Sequence, residues 1–152
     1  MRSGPDYGYN PNAEKTILIV KRTEDLLRAK TVFSNTGVNI TCEGERHLGA
    51  VIGSDDFRTK YIQRKVEGWV SDVVELSKIA KEEPQNAYTA FTKGLCHRWT
   101  FLQRTIDNVS KFFEPLEEAI RNKLIPALVG LNVSDLDSRI LALPLLYGGI
   151  GI

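Results

Sequence analysis

Gly44-Glu45-Arg46-His47-Leu48-Gly49-Ala50-Val51-Ile52-Gly53, followed at once by Ser54-Asp55-Asp56, is where the chain changes its hydrophobic period. Before this point the pattern is that of short strands. Val38–Cys42 and Arg46–Ile52 flank Glu43-Gly44-Glu45, which predicts a β-hairpin with a three-residue loop. After it, Ile62, Val66, Trp69, Val73, Leu76 and Ala80 recur at alternating steps of four and three, the stripe of an amphipathic helix. Ser54 caps that helix, and Asp55 and Asp56 suit the positive end of its dipole. The boundary falls at Gly53-Ser54, dividing a small β region (1–53) from a helical one (54–152).

Working outward, residues 1–14 read as a turn-rich lead-in punctuated by Gly4-Pro5 and Asn10-Pro11-Asn12. Lys15–Lys21 carries the β-branched Ile17, Ile19 and Val20, which favours a buried strand. Thr23 with Asp25 opens a short helix through Leu26, Leu27, Ala29, Lys30 and Phe33, stopped near Asn35-Thr36-Gly37. The three strands are expected to form one small sheet, leaving an edge and half a core to be covered. On the helical side Pro84 begins a second pattern (Tyr88, Phe91, Leu95, Trp99, Leu102, Ile106, Val109). A third runs from about Phe112 to Leu124, with Pro126 near its end. A short fourth is capped by Ser134-Asp135 and carries Leu136, Ile140 and Leu141 before Pro144. The fold class is α+β, a small N-terminal sheet with one helix followed by an all-α bundle.

The chain has 152 residues, 42% of them hydrophobic, enough for one ordinary core or two small linked ones. Lys and Arg number 20 against 19 Asp and Glu, so no global basic field announces a nucleic-acid partner. Cys42 and Cys96 suggest no disulfide framework and are expected as reduced thiols. Residues 1–15 lack an apolar targeting core, and no apolar run approaches a membrane span, so the expected setting is intracellular, cytoplasmic or nuclear. The sequons at Asn39, Asn108 and Asn132 carry no weight without a secretory signal.

Local charge gives the physical case for a polyanion partner. At about 100° per residue, Lys93, His97 and Arg104 fall together opposite Tyr88, Phe91, Leu95, Leu102 and Ile106, and Lys111 joins them if the helix continues. Arg58, Lys60 and Lys65 make a weaker row on the preceding helix. Such rows can follow phosphates; an ordinary solvated face accounts for the same charges. Arg46-His47-Leu48-Gly49 belongs to the hairpin, where a glycine lets backbone approach a nucleic-acid strand closely. Asp55-Asp56 resembles a metal-binding pair, but its place at a helix start makes capping the better reading. Cys42, His47, Cys96 and His97 match no zinc spacing, and no metal site is assigned. Gly148-Gly149-Ile150-Gly151 lacks the strand and helix of a dinucleotide loop. Trp69 and Trp99 lie on apolar stripes and are expected in the core; Tyr7 and Tyr9 are expected exposed.

Three segments together resemble the last part of a non-LTR-retrotransposon-type reverse transcriptase, an RNA-directed DNA polymerase. They are Asn12-Ala13-Glu14-Lys15-Thr16, the Leu48-Gly49 hairpin, and Leu143-Pro144 with Gly148-Gly149. The resemblance covers the chain from about Gly4 to Ile152. It implies the end of a palm with a primer grip, then a helical thumb, so that residues 1–53 and 54–152 take those roles. Lys15 matches a lysine thought to act beside the departing pyrophosphate. Arg46, His47, Leu48 and Gly49 would position the primer end, and Arg58, Lys65, Lys93, His97 and Arg104 would contact the duplex. The aspartate pair that holds Mg2+ in that family would lie before Met1. The magnesium therefore belongs to the complete polymerase, and this chain alone is expected to be inactive. The implied partners are an RNA/DNA template–primer duplex, bound weakly by the chain alone, and the rest of the palm and fingers; no membrane partner is implied. A non-enzymatic helical protein-interaction module is the alternative, supported by the near-neutral charge and by the several apolar stripes.

Overall fold

The computed structural model describes residues 5–8, 10 and 12–152. The turn at Gly4-Pro5, the middle of Asn10-Pro11-Asn12, and Tyr9 therefore fall on or across positions outside the described residues. The chain is α+β and divides into two compact units, residues 1–61 and 62–152. Among the described residues no helix is long and apolar enough to cross a membrane.

The first unit starts from a strand–helix–strand arrangement. β1 (Ile17–Ile19) and β2 (Asn39–Thr41) pair in parallel, with Leu18 opposite Ile40, and α1 (Asp25–Val32) connects them. The ladder is extended by Asn39 N–H to the Thr16 carbonyl (3.1 Å) and Val20 N–H to the Thr41 carbonyl (2.9 Å). Ala29 is the residue that α1 buries.

The hairpin differs from the expected one. It pairs β3 (Gly44–His47) with β4 (Ala50–Gly53), antiparallel, with Arg46 opposite Val51 and His47 opposite Ala50. The turn is Leu48-Gly49, not Glu43-Gly44-Glu45. Both turn residues have positive φ, 49° and 87°, as in the two-residue type I′ turn whose twist matches that of paired strands. Gly44 does a different job. It sits opposite Gly53, where an added Cβ on Gly53 would lie 2.3 Å from the Gly44 Cα. One on Gly44 would lie 2.6 Å from the Ile52 carbonyl oxygen. The two glycines let the strands meet at the hairpin base, and Ser54 N–H closes it on the Glu43 carbonyl at 2.7 Å. Val38–Cys42 is thus not a hairpin strand, and its central residues pair with β1 instead. The expected single sheet is two sheets of two strands each.

α2 (Asp55–Ala80) begins as expected, with Ser54 Oγ accepting the Phe57 N–H at 3.2 Å. In the second unit Ile62, Val66, Trp69, Val73 and Ala80 are buried along its stripe. The aromatic rings of Trp69, Trp99 and Phe113 form the centre, with Trp69 lying 6.0 Å from each of the other two, centroid to centroid. Leu116 and Leu124 are almost wholly enclosed. This covering of apolar surface is the main favourable term for the unit.

The second helical pattern is interrupted. α3 (Pro84–Lys93) stops at Gly94, whose φ of −128° and ψ of −73° leave the helix. A 3-10 turn (Leu95–His97) and α4 (Thr100–Thr105) follow, and Ile106 is extended. Leu95, Leu102, Ile106 and Val109 are buried all the same, so the periodicity persists while the helix does not. The third pattern continues beyond its expected end, as α5 (Glu114–Ala119), a π-helical turn (Ile120–Leu124) and α6 (Ile125–Val129). Pro126 has no N–H and its ring crowds the preceding turn, so a widened turn beside it lets the helix pass rather than end.

α7 (Asp135–Leu141) opens on a reciprocal capping box between Ser134 and Asp137. After it the tail folds back. Ile150 N–H donates to the Leu141 carbonyl (2.8 Å) and Gly151 N–H to that of Leu143 (3.0 Å). The Tyr88 hydroxyl donates to the Ile150 carbonyl at 2.7 Å. Gly149 passes so close to Leu143 that a Cβ would sit 2.0 Å from its carbonyl oxygen. The Leu143-Pro144 and Gly148-Gly149 segment is therefore a structural clasp.

Two outcomes follow. Gly53→Ala is expected to cost more than about 2 kcal/mol in urea unfolding, because backbone rather than a flexible side chain must move. Ser134→Ala is expected to cost about 1 kcal/mol through loss of the cap. The Ser134 hydroxyl and, secondarily, its backbone N–H donate to the Asp137 carboxylate and hold its pKa below the ordinary value. A depressed carboxylate stabilises above its unfolded pKa and loses that contribution as pH falls through the folded one. Cα chemical shifts of residues 135–141 should therefore move toward coil values as pH drops below about 4. Helical shifts unchanged to lower pH would refute the role of the cap.

Candidate nucleic-acid interface

Asn12-Ala13-Glu14-Lys15-Thr16 is a closed turn leading into β1. The Asn12 carboxamide oxygen accepts the Lys15 N–H at 3.2 Å, and the Thr16 hydroxyl donates to the Asn12 carbonyl at 2.7 Å. An asparagine that bonds the backbone a few residues on is a standard device for fixing a turn. Asn12 and Thr16 thus have a local structural use, and Lys15 is carried exposed on the turn they hold.

In the same unit Arg46, His47 and Leu48 are exposed on the hairpin. Leu48 is the unusual member, 84% exposed and at a φ of 49°. For a residue with a Cβ that conformation costs about 1–2 kcal/mol, and no burial of the side chain offsets it. Gly49 is held from below, its carbonyl accepting the Tyr61 hydroxyl at 3.0 Å. The tip is therefore a braced turn presenting an apolar side chain beside a cation and an imidazole.

The expected row on α2 is less available. Arg58 is paired with Asp55 and Lys60 with Asp56, both at 2.7 Å. The hydrogen bond that Lys60 donates to the Asp56 carboxylate raises the Lys60 pKa, helped by the carboxylate's charge. The adjacent aspartates are thus a helix opening with its own counter-ions. Lys65 lies half-buried farther along α2.

Lys93, His97 and Arg104 are each exposed, but on α3, the 3-10 turn and α4 in succession. Positions calculated for one continuous helix do not apply across Gly94, so the single row is corrected to three separate exposed positions. Lys111 does not extend them; its ammonium lies 5.0 Å from the Phe112 ring centroid.

Sequence reasoning gave no binding role to the residues around a cavity of about 640 Å3 in the second unit, lined by Lys81, Asn122, Lys123 and Asn132 among others; Asn132 was noted only as a sequon. These positions come from the end of α2, the π-turn and the segment after α6, a juxtaposition that no local signal announces. Among the described residues no cluster of three or more His, Cys, Asp or Glu side chains is placed to hold a metal ion. No known protein family, curated protein or solved structure matches the chain.

Leu48→Asn would put Asn-Gly, the preferred type I′ pair, at the tip. It is expected to raise stability by about 1 kcal/mol in chemical denaturation. A fall in stability would mean that the Leu48 side chain serves the fold rather than a partner.

Proposed function

We propose that this chain is the template–primer-holding part of a reverse transcriptase of the non-LTR-retrotransposon type. The observation that carries this reading is the hairpin tip. Arg46 and His47 stand exposed beside a braced Leu48-Gly49 turn that keeps an unfavourable backbone angle and an exposed leucine. Strain retained without a folding benefit is typical of sites that meet a partner. Contacts at such a tip would be to phosphate, sugar and exposed base faces, which position a strand without reading its sequence. Lys93, His97 and Arg104 would add phosphate contacts from the helical unit.

The role is holding, not chemistry. Asp55 and Asp56 are engaged by Arg58 and Lys60, which supports their reading as a helix opening; magnesium would be held by the complete polymerase. Lys15 would keep the position of the pyrophosphate-side lysine without a reacting phosphate to serve.

Fluorescence anisotropy with a labelled primed RNA/DNA duplex tests this. Binding is expected to weaken steeply with salt, at about 0.9 log units of affinity per log unit of salt for each phosphate neutralised. Arg46→Ala with His47→Ala is expected to reduce affinity about tenfold. Affinity flat across the salt series, or indifferent to the hairpin variant, would refute the reading. Nucleotide incorporation by the chain alone would refute the holding role.

A second reading, a helical protein-interaction module, is favoured by the tail, where Leu145, Leu146 and Tyr147 are 71%, 86% and 70% exposed. Light scattering separates the two readings. Self-association without duplex binding would support this one.

A further inference from the structure

We infer that the cavity bordered by Lys81, Asn122, Lys123 and Asn132 is a binding site for a phosphate group. The inference does not rest on the hairpin. The cavity measures about 640 Å3 and is open to solvent, and its lining contains two lysines and no carboxylate. Elsewhere among the described residues of the second unit some cations are neutralised and others, such as Arg121, are not. Lys78 is paired with Glu75 at 2.6 Å, and Arg98 with Asp72. Among the described residues the ammonium groups of Lys81 and Lys123 have neither an ion-pair nor a hydrogen-bond partner.

The polar groups of the lining suit an acceptor-only ligand. Lysine ammonium groups donate and cannot accept, and each carboxamide brings two N–H donors. The side chains of Asn122 and Asn132 make no hydrogen bond among the described residues. Ser77 forms part of the wall, but its hydroxyl proton is committed to the Val74 carbonyl at 2.7 Å, so it adds no donor. The lining thus offers unused donors and positive charge, and no carboxylate to neutralise them.

Lysines near helix C-termini also balance the helix dipoles. α2 ends at Ala80 and α6 at Val129, both beside the cavity. Each terminus contributes about half a negative charge, together about one, against two ammonium charges. The two termini therefore offset only part of the lysine charge. The π-turn that carries Asn122 and Lys123 is a geometry found often at functional sites. A phosphodiester of a nucleic-acid strand and a free phosphate compound share the chemistry this cavity offers, tetrahedral oxygens accepting charge-assisted hydrogen bonds.

The test is titration of the full chain with inorganic pyrophosphate and, separately, with a primed RNA/DNA duplex. It compares wild type, Lys81→Ala with Lys123→Ala, Lys81→Arg with Lys123→Arg, and the hairpin variant. Both lysines are exposed, so thermal melting should be unchanged. The Ala pair is expected to lower affinity at least tenfold, and the Arg pair to retain most of it. Loss toward both probes supports a site open to free phosphate compounds. Loss toward the duplex alone, with pyrophosphate unbound by wild type, assigns the site to a polynucleotide backbone. A wild type that binds neither probe overturns the inference. So does an Ala pair that binds both as wild type does; if the hairpin variant is then impaired, the holding role survives and the cavity site does not.

Discussion

The approach of Gly44 to Gly53 is the constraint on which the first unit depends. Two glycines opposite one another bring the hairpin strands closer at their base than any side chain would permit. That contact sets the register, and the register puts Leu48 and Gly49 at the turn. It also frees the preceding residues to pair in parallel with β1, which divides the strands between two sheets. Tyr61 then braces the turn through the Gly49 carbonyl. A strained tip can persist because its surroundings over-determine it.

The second unit depends on its aromatic centre instead. Trp69 meets both Trp99 and Phe113, so the rings join residues from α2, the segment after α3, and the approach to α5. With that centre filled, the unit tolerates a helix broken at Gly94 and a proline passed through a π-turn. The tail is pinned by backbone hydrogen bonds and by Tyr88, and its apolar side chains at 145–147 stay exposed. Closing the tail is a matter of backbone geometry more than of apolar burial.

Much of this architecture was legible in the residues. The α2 stripe, the caps at Ser54 and Ser134, and the core places of Trp69 and Phe91 all follow from spacing and hydrogen-bonding chemistry. The hairpin was misplaced because Gly44 between two glutamates has the composition of a turn, whereas leucine is a poor turn residue. Only the opposed glycines and the positive φ of Leu48 reveal the true one. The break at Gly94 was concealed because 3-10 turns and short helices still deliver Leu95, Leu102 and Ile106 to the core. Of the candidate interface, exposure of Arg46, His47, Lys93 and Arg104 was foreseeable. The pairing of Arg58 with Asp55 and the cavity at Lys81 and Lys123 were not, since each depends on side chains settled by packing.

In the proposed function the hairpin tip is where a nucleic-acid strand would dock. Hydrogen–deuterium exchange of the full chain, with and without a saturating primed RNA/DNA duplex, addresses it most directly. Slowed exchange of the amides of residues 46–49 is expected, reversed when high salt releases the duplex. Unchanged exchange at the tip, with duplex demonstrably bound and protection elsewhere, would contradict it.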